Sequence, residues 1–534
     1  MTDMRWGAWG VEADRLTLSD QVLDRLRQGL GVTPGKRPTV PESEVAMPES
    51  ALSPAAYDAF AARVGADHVH TDRDGRLLHA GGKSTIDLWR RRSGDAHDAP
   101  DAVIMPGSHD EVVEVLRVAT DHAIAVVPFG GGTSVVGGVE PERGEFDAVV
   151  ALDLRRLNRL LDIDDVSMTA RLEPGLRGSE AEERLAERGL TLGHFPQSFE
   201  YASIGGFAAT RSAGQASSGY GRFDDLVMAL RVATPAGTLD LGRAPASAAG
   251  PDLRQLFVGS EGALGVITEL TLRVRPRPAA RHDAVWQFAD FATGTDAVRR
   301  LAQSGSLATV TRLSDEAETA VNLAMGGAAG SASPAAADGC LLIVCHEGDA
   351  ATVEAARGAT GSGLTEAGGR PLGPEVGSGW RSGRYQGPYL RDALLDAGAQ
   401  IETLETATSW SRLGDLYVAV RDALTESLTA VGTPPLVLCH ISHAYPTGAS
   451  LYFTAVAKAA DDPIAQWTAA KRSAGDAIVE QGATITHHHA IGLDHRQWMA
   501  AEVGPLGLEV LRAVKATVDP GGVLNPGKLI PPPH

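Results

Sequence analysis

Three consecutive glycines, Gly130, Gly131 and Gly132, directly follow an apolar run at residues 124–129. Residues without a Cβ let the backbone approach another group closely, and their amides can point at an anion. The segment does not match the dinucleotide-binding fingerprint, because Val135 stands where the third glycine belongs. It does not match a P-loop either, because no Lys-Ser or Lys-Thr pair follows. By itself the motif leaves an anion-binding loop and a simple tight turn equally open.

The chain around this motif alternates between predicted helices and strands. Residues 109–122 have the spacing of an amphipathic helix, and residues 147–154 form an apolar run typical of a buried strand. Residues 225–241 predict a hairpin, and residues 265–278 predict a strand that ends at prolines. This alternation indicates α/β packing in this part of the chain.

Length and charge narrow the class of protein. A chain of 534 residues is too long for one compact core, so we expect two or more domains. The net charge of −19 argues against nucleic acid as a partner, although a few arginines could still bind a small anion. The three cysteines indicate no disulfide framework.

The composition and the two termini predict a cytoplasmic protein. The start, MTDMRWGAWG, has no signal-peptide pattern, and the end, PPPH, is no peroxisomal signal. The sequence contains no run of about 18 apolar residues, so we predict no membrane span. The abundance of Ala, Gly, Arg and Asp is typical of bacterial proteins. A low-complexity stretch at 326–339 is expected to be mobile.

Three further segments rich in small residues accompany the glycine loop. They are HFPQSFEYASIGGFAATRSAG at 194–214, GSEGALGVIT at 259–268 and DPGGVLNPGK at 519–528. Several such turns in one α/β region suit a large flat cofactor with a diphosphate. Together with PFGGGTS, these segments resemble the FAD-linked oxidase family of the vanillyl-alcohol oxidase (PCMH) type.

The resemblance implies an α+β fold of four parts. These are an N-terminal helical region at 1–95, a two-part PCMH-type FAD-binding domain at 96–279, a cap domain with an antiparallel sheet at 280–490, and a C-terminal segment at 491–534 that returns to the FAD domain.

The resemblance also implies which residues bind FAD. In that family the first loop and the TRSAG segment lie on the diphosphate, and GSEGALGVIT lines the cofactor. Some members tether the flavin through a His in the first loop, where this chain has Thr133, so a non-covalent FAD is implied. The implied FAD-binding residues are Pro128, Phe129, Gly130, Gly131, Gly132, Thr133, Ser134, Gln197, Ser198, Phe199, Glu200, Tyr201, Ala202, Ser203, Gly205, Gly206, Thr210, Arg211, Ser212, Ala213, Glu261, Gly262, Ala263, Leu264, Gly265, Val266 and Ile267.

The second half of the chain distinguishes among members of this family. Many of its hydroxy-acid dehydrogenases bind a metal through GHxGDGNxH and a later EHGxG. Here the corresponding segments are CHISHAYPTGASLYF and THHHAIG, in which Tyr452 replaces a His and His488 replaces the Glu. The metal set is therefore broken, and we expect no metal. His487, His488 and His489 could be packed histidines or a charge patch, which we favour over a triple-histidine metal site, because three adjacent side chains cannot face one site in regular structure.

These departures resemble the alkylglycerone-phosphate synthase family, which makes the ether bond of ether lipids. The resemblance runs nearly end to end and includes MRWGAWG, TRLSDE, YLRDALL, ETATSWSRL, YPTGASLYF and THHHAIG. It implies an FAD-dependent transferase that exchanges the acyl group of acyl dihydroxyacetone phosphate for a fatty alcohol, without net redox. The alternative is an FAD-linked oxidase or dehydrogenase of a hydroxy acid or related small substrate.

The same resemblance assigns roles to individual residues. Tyr452 corresponds to the proton-transfer tyrosine. A phenol with an ordinary pKa of about 10 needs a nearby cation or histidine to act as a base, and the alternative is a strand tyrosine. Arg391 corresponds to the arginine that binds substrate phosphate, the alternative being a salt bridge on a helix surface. The further catalytic residues implied are Arg312, His487, His488 and His489.

The partners that we expect follow from this chemistry. They are a small lipid-like or hydroxy-acid substrate, a second copy of the chain in a homodimer, and a membrane surface in peripheral contact.

Overall fold

The computed structural model describes residues 3–33, 39–324, 339–373 and 380–532. The low-complexity stretch at 326–339 lies outside them apart from Gly339. The strands are β1 (Val69–His70), β2 (Ala102–Ile104), β3 (Ile124–Phe129), β4 (Ala148–Asp153), β5 (Leu160–Asp164), β6 (Thr169–Leu172), β7 (Leu190–Thr191), β8 (Val227–Thr234), β9 (Gly237–Leu241), β10 (Val266–Arg273), β11 (Arg275–Pro276), β12 (Ala280–Phe288), β13 (Val310–Ser314), β14 (Cys340–Gly348), β15 (Arg370–Pro371), β16 (Ala399–Ser409), β17 (Leu436–Tyr445) and β18 (Gly448–Lys458). The helices are α1 (Asp20–Leu30), α2 (Pro54–Val64), α3 (Arg73–Leu78), α4 (Thr85–Arg92), α5 (His109–Asp121), α6 (Gly178–Ala186), α7 (Ile204–Ala209), α8 (Ser217–Tyr220), α9 (Phe223–Leu226), α10 (Arg254–Phe257), α11 (Phe291–Ser304), α12 (Glu316–Ala324), α13 (Ala350–Glu366), α14 (Gly387–Asp396), α15 (Leu413–Ala430), α16 (Pro463–Glu480) and α17 (Met499–Val518).

Two larger sheets and a two-stranded sheet of β7 and β11 carry the first half of the chain. One of the larger sheets has the order β1-β2-β4-β3, with β2, β4 and β3 parallel, and the other is antiparallel with the order β5-β6-β10-β8-β9. The predicted helix at 109–122, strand at 147–154 and hairpin at 225–241 are confirmed as α5, β4 and β8-β9. Helix α5 buries Val112, Val115 and Leu116 in one core with strand β4, which accounts for its apolar spacing.

A seven-stranded antiparallel sheet of order β15-β12-β14-β13-β17-β18-β16 forms the cap. The expected α+β fold with an antiparallel cap sheet is therefore confirmed. An extensive hydrophobic core joins the sheet to α11, α15 and α16, with Phe453 and Trp467 fully buried. This core fixes the face of the sheet that the helices cover.

Segments near both ends of the chain connect the two halves. The backbone N–H of Thr85, at the start of α4, donates to Glu402 on β16 over 2.6 Å. Near the C-terminus, Asn525 Nδ2 donates to the carbonyl oxygen of Glu261 over 2.7 Å. The C-terminal segment thus lies against the predicted FAD-binding turn. Within the described ranges, no helix combines the length and apolar character needed to cross a membrane.

Candidate active site

The three-glycine loop leaves β3 where the chain passes very close to another segment. A Cβ on Gly131 would lie 2.0 Å from the carbonyl oxygen of Tyr201, and one on Gly130 would lie 2.2 Å from Ser203 Oγ. Gly132 has a φ of 64°, in the left-handed region that favours glycine. The glycines are therefore needed for the close packing of the loop against residues 201–203.

A cleft opens beside this loop, between the loop, helix α7 and the turn before β10. Small and apolar residues dominate the walls of the cleft. Because the loop glycines have no Cβ atoms, the loop backbone itself lies at the edge of the cleft. These residues fit a flat, extended FAD. The predicted residues that line it are Pro128, Phe129, Gly130, Ser134, Ser203, Gly205, Gly206, Thr210, Glu261, Gly262, Gly265, Val266 and Ile267. The lining residues that were not predicted are Gly138, Val139, Leu154 and Ala209.

Other predicted FAD-binding residues make contacts elsewhere. The Tyr389 hydroxyl on α14 donates to Glu200 over 2.9 Å, and Tyr201 packs edge-on against Trp9. These contacts attach the PQSFEYA segment to α14 and to the N-terminal region. Outside the described lining of the cleft are Gly131, Gly132, Thr133, Gln197, Ser198, Phe199, Glu200, Tyr201, Ala202, Arg211, Ser212, Ala213, Ala263 and Leu264.

Strand register aligns four polar residues across the cap sheet. Ser314 pairs with His440, His440 with Tyr452, and Tyr452 with Glu405, on the adjacent strands β13, β17, β18 and β16. Residues paired directly across antiparallel strands lie on the same face of the sheet. The rings of His440 and Tyr452 stack with their centroids 4.9 Å apart. We call these four residues the polar row.

A bulge in β17 adds a second histidine to this face. The register between β17 and β18 shifts between Ile441 and His443, so that His443 pairs with Ser450, two residues from Tyr452 on β18. Without the bulge, His440 and His443 would point to opposite faces, because side chains alternate along a strand. The extra residue therefore brings both imidazoles to the face that carries Tyr452.

The three adjacent histidines lie in an irregular loop that converges on Glu405. The backbone amides of His487, His488 and His489 donate to its carboxylate over 2.5, 3.1 and 2.9 Å. The rings of His488 and His489 lie 6.1 and 5.5 Å from the ring of Tyr452. Three adjacent side chains would point apart in a helix or a strand, but the irregular backbone at residues 487–489 lets all three histidines lie near Glu405.

His487 forms a hydrogen-bonded group with its neighbours. Its Nε2 lies 2.7 Å from the hydroxyl of Tyr445, and its Nδ1 lies 2.9 Å from Nδ1 of His488. His443 donates through Nε2 to the carbonyl oxygen of Gly214 over 2.9 Å. His443, His487 and His488 each place one ring nitrogen within 4.8 Å of a ring nitrogen of the other two. Each of the three rings also has a hydrogen-bond partner within the protein.

Burial sets the charge state of the site. It lowers the pKa of His488 and of His489 to about 4, although the charge of Glu405 raises both. It raises the pKa of Tyr452 to about 12. Burial would also raise the pKa of Glu405, but the neighbouring histidines outweigh it and hold that pKa well below its usual range. At neutral pH the site therefore contains a phenol, neutral imidazoles and a carboxylate.

Arg312 contacts the buried residues Glu318 and His440, and His440 belongs to the polar row. Its guanidinium pairs with Glu318 and lies 3.2 Å from Nδ1 of His440, which is itself 2.9 Å from Glu318 Oε2. Burial would raise the pKa of Glu318, but His440 and Arg312 outweigh it and lower that pKa to about 2. The contact of Arg312 with Tyr452 thus runs through the stacked ring of His440.

Arg391 belongs to a second polar cluster. Its Nη1 donates to the carbonyl oxygen of Lys83 over 2.6 Å, and its guanidinium lies beside Asp392. The backbone N–H of Lys83 donates in turn to the carbonyl oxygen of Ser134 over 2.7 Å. The structure therefore connects Arg391 to the glycine loop, whereas Tyr452 and the histidines meet on the cap sheet.

Sequence reasoning missed several titratable neighbours of Tyr452 and the three histidines. His440, His443 and Tyr445 occur in the CHISHAY segment, where polar residues recurring along a strand could have suggested a polar face. Glu318 and Glu405 gave no local signal. The amide partner of Glu405 at His487 is 82 residues away in the chain, and only the folded structure brings the two together.

Two family models match the chain. Residues 100–241 match the FAD binding domain, and residues 277–529 match the C-terminal domain of FAD linked oxidases. With the cleft described above, these matches define a flavoprotein of the FAD-linked oxidase class whose cofactor is FAD.

Relatives narrow this class. The alkyldihydroxyacetonephosphate synthase of Dictyostelium discoideum is 34% identical over 87% of this chain and 79% of its own length. That of Trypanosoma brucei brucei is 34% identical over 88% of this chain and 79% of its own length. A solved structure of an alkyldihydroxyacetonephosphate synthase has a TM-score of 0.86 and 29% identity, and the match covers 99% of both chains. The chain belongs to the alkyldihydroxyacetonephosphate synthase family, also called alkylglycerone-phosphate synthases, so the resemblance found in its sequence is confirmed.

Proposed function

We propose that this protein is an FAD-dependent enzyme that exchanges the acyl group of acyl dihydroxyacetone phosphate for a fatty alcohol. The observation that carries the proposal is the setting of Tyr452, which stacks on His440 and lies beside His488 and His489. This arrangement places the phenol ring within 6.1 Å of both imidazole rings, measured between ring centroids. The family supplies the reaction in which they would act.

Tyr452 and its neighbouring histidines move the proton. With a pKa of about 12, Tyr452 is a phenol at neutral pH and must give up its own proton before it can take another. A neutral imidazole of His488 or His489 would accept that proton in an uphill transfer, because burial holds the histidine pKa values far below that of Tyr452. The pair can thereby remove and return a proton at the substrate carbon beside the carbonyl.

Arg391 and Arg312 have different parts in the proposal. A guanidinium binds phosphate bidentately and stays charged, so Arg391 would hold the phosphate of the substrate. The connection from Arg391 through Lys83 to Ser134 supports a phosphate site where the cap meets the FAD-binding region. Arg312 acts as a positioning residue through Glu318 and His440.

The glycine loop, α7 and the turn before β10 would hold FAD without a covalent bond. Bound there, FAD would supply a ring nitrogen as the nucleophile for the exchange. Acid precipitation should therefore release a yellow supernatant, whereas flavin that stays with the pellet contradicts a non-covalent cofactor.

An anaerobic assay tests the proposed reaction. Purified holoenzyme is incubated with palmitoyl dihydroxyacetone phosphate and hexadecanol, and the lipids are analysed by mass spectrometry. We expect the ether product, one palmitate for each ether formed, and exchange of the substrate proton with solvent. Turnover of a hydroxy acid that requires oxygen or another electron acceptor, without ether formation, would support the oxidase instead.

We also propose a homodimer, peripheral membrane contact and a bacterial cytoplasmic setting. A lipid-like substrate supports the membrane contact, and composition supports the bacterial setting, although the synthases compared above come from eukaryotes. Sedimentation equilibrium and flotation with phospholipid vesicles test the first two. A monomer, or protein that stays at the bottom of the gradient, contradicts them.

A further inference from the structure

We infer that Glu405 is the positioning residue that holds the three histidines against Tyr452, an inference that rests on the proposed function. Glu405 is only 2% exposed and lies on β16, directly opposite Tyr452 on β18. Strand pairing therefore fixes Glu405 relative to Tyr452, while hydrogen bonds fix the histidine loop relative to Glu405. One side chain thus joins the two partners of the proposed proton transfer.

The hydrogen bonds of Glu405 hold the backbone of the loop. Oε1 accepts from the amides of His488 and His489 and from the hydroxyl of Thr486, and Oε2 accepts from the amide of His487. The ring nitrogens lie farther away, with Nδ1 of His488 at 3.5 Å and Nδ1 of His489 at 3.9 Å. The carboxylate thus accepts its hydrogen bonds from groups that do not titrate.

A neutral amide cannot replace this carboxylate. Glutamine has one acceptor oxygen, and its NH₂ group would face an N–H donor where a carboxylate oxygen now accepts. The loop must then move to relieve the contact between donors. A displacement of about 1 Å at a reacting group can lower the rate by about 100-fold. Aspartate is one methylene shorter and withdraws both oxygens from the loop, so it should not restore the activity.

The chain offers a matched control in Asp101. Its buried carboxylate also accepts two backbone amides, from Ala51 at 2.7 Å and from Val149 at 2.8 Å, and it pairs with Arg143. These partners all belong to the first 150 residues, away from the cap sheet that carries the polar row. Asp101→Asn should therefore lower stability without changing the rate of turnover.

The experiment compares wild-type holoenzyme with Glu405→Gln, Glu405→Asp and Asp101→Asn. For each we measure FAD content, kcat, KM for palmitoyl dihydroxyacetone phosphate, and hydrogen exchange of peptides that span residues 484–492. We expect both Glu405 variants to keep FAD, to lose about 100-fold in kcat with KM changed by less than about threefold, and to exchange faster in that segment. Asp101→Asn should match the wild type in kcat and in the exchange of that segment.

Two outcomes separate this inference from the proposed function. If the wild type forms no ether, the proposed function fails, and slower exchange in the wild type than in Glu405→Gln still supports Glu405 as the anchor of the loop. If Glu405→Gln has wild-type kcat or unchanged exchange, Glu405 is not the positioning residue. Should both Glu405 variants misfold, Thr486→Val removes one of the four donors, and an unchanged kcat in that variant overturns the inference.

Discussion

Replacing Gly131 with alanine should weaken FAD binding by about 100-fold. An ordinary contact of a Cβ atom begins near 3.4 Å, and the new Cβ would lie 2.0 Å from the carbonyl oxygen of Tyr201. The opposing atoms belong to the backbone, so the loop itself must retreat by about 1.4 Å. Overpacking of this kind costs about 1–3 kcal/mol, and the backbone obstacle favours the upper end. In the apo protein the loop can relax around the new methyl group, but FAD binding requires the native loop position. Restoring that position costs about 3 kcal/mol of binding free energy, which raises the Kd for FAD about 100-fold.

Fluorescence titration of apo protein with FAD measures this change. The control is Gly29→Ala in α1, where nothing lies within 4 Å of the added Cβ, so the affinity for FAD should not change. Thermal unfolding of the apo forms shows whether Gly131→Ala strains the empty protein as well. Wild-type affinity in the Gly131→Ala variant would refute the reasoning, because the loop would then be free to move without affecting the cofactor.

Three further predictions concern the cap and the phosphate cluster. Tyr452→Phe should retain FAD but lose about 10²–10⁴-fold in kcat, as judged by ether formation, because the proton donor is missing. Arg391→Gln should raise KM for the phosphorylated substrate about tenfold or more in steady-state assays, since the charged guanidinium is lost. The pKa of Glu318 in the folded protein, about 2, lies below its ordinary value. Ionised Glu318 therefore stabilises the fold by about 3 kcal/mol above about pH 4.5, and this stabilisation is lost as the pH falls toward 2. Glu318→Gln should be less stable to urea at pH 7, and its deficit should shrink at pH 3; an equal deficit at both values would contradict this assignment.

The sequence predicted best what depends on local pattern. The apolar spacing of α5 and the turn of β8-β9 arise from residues close together in the chain, and both elements formed where expected. The glycine loop by itself left two interpretations open, and only the accompanying small-residue segments pointed to a cofactor. The division at residues 95, 279 and 490 and the roles given to individual residues stay predictions.

The parts of the site that were missed depend on distant pairing. Glu405 acquires its partners only when β16 pairs with β18 and the histidine loop folds over both. Glu200 and Tyr201 occur in a motif shared with FAD-binding proteins, yet they contact α14 and the N-terminal region, which no local pattern indicated. Contacts between segments far apart in the chain, rather than residue type, determine where these side chains lie.

The bulge in β17 has a consequence for any attempt to redesign this sheet. His440 and His443 are three positions apart, an odd spacing that an uninterrupted strand would divide between its two sides. Pairing every residue of β17 in regular register, with no bulge, would turn one imidazole toward the helices that cover the cap, where a polar ring finds few partners. The chemistry of this face therefore depends on an irregularity in the backbone as much as on the side chains, and a version of the sheet made more regular for stability would lose half of its histidine pair.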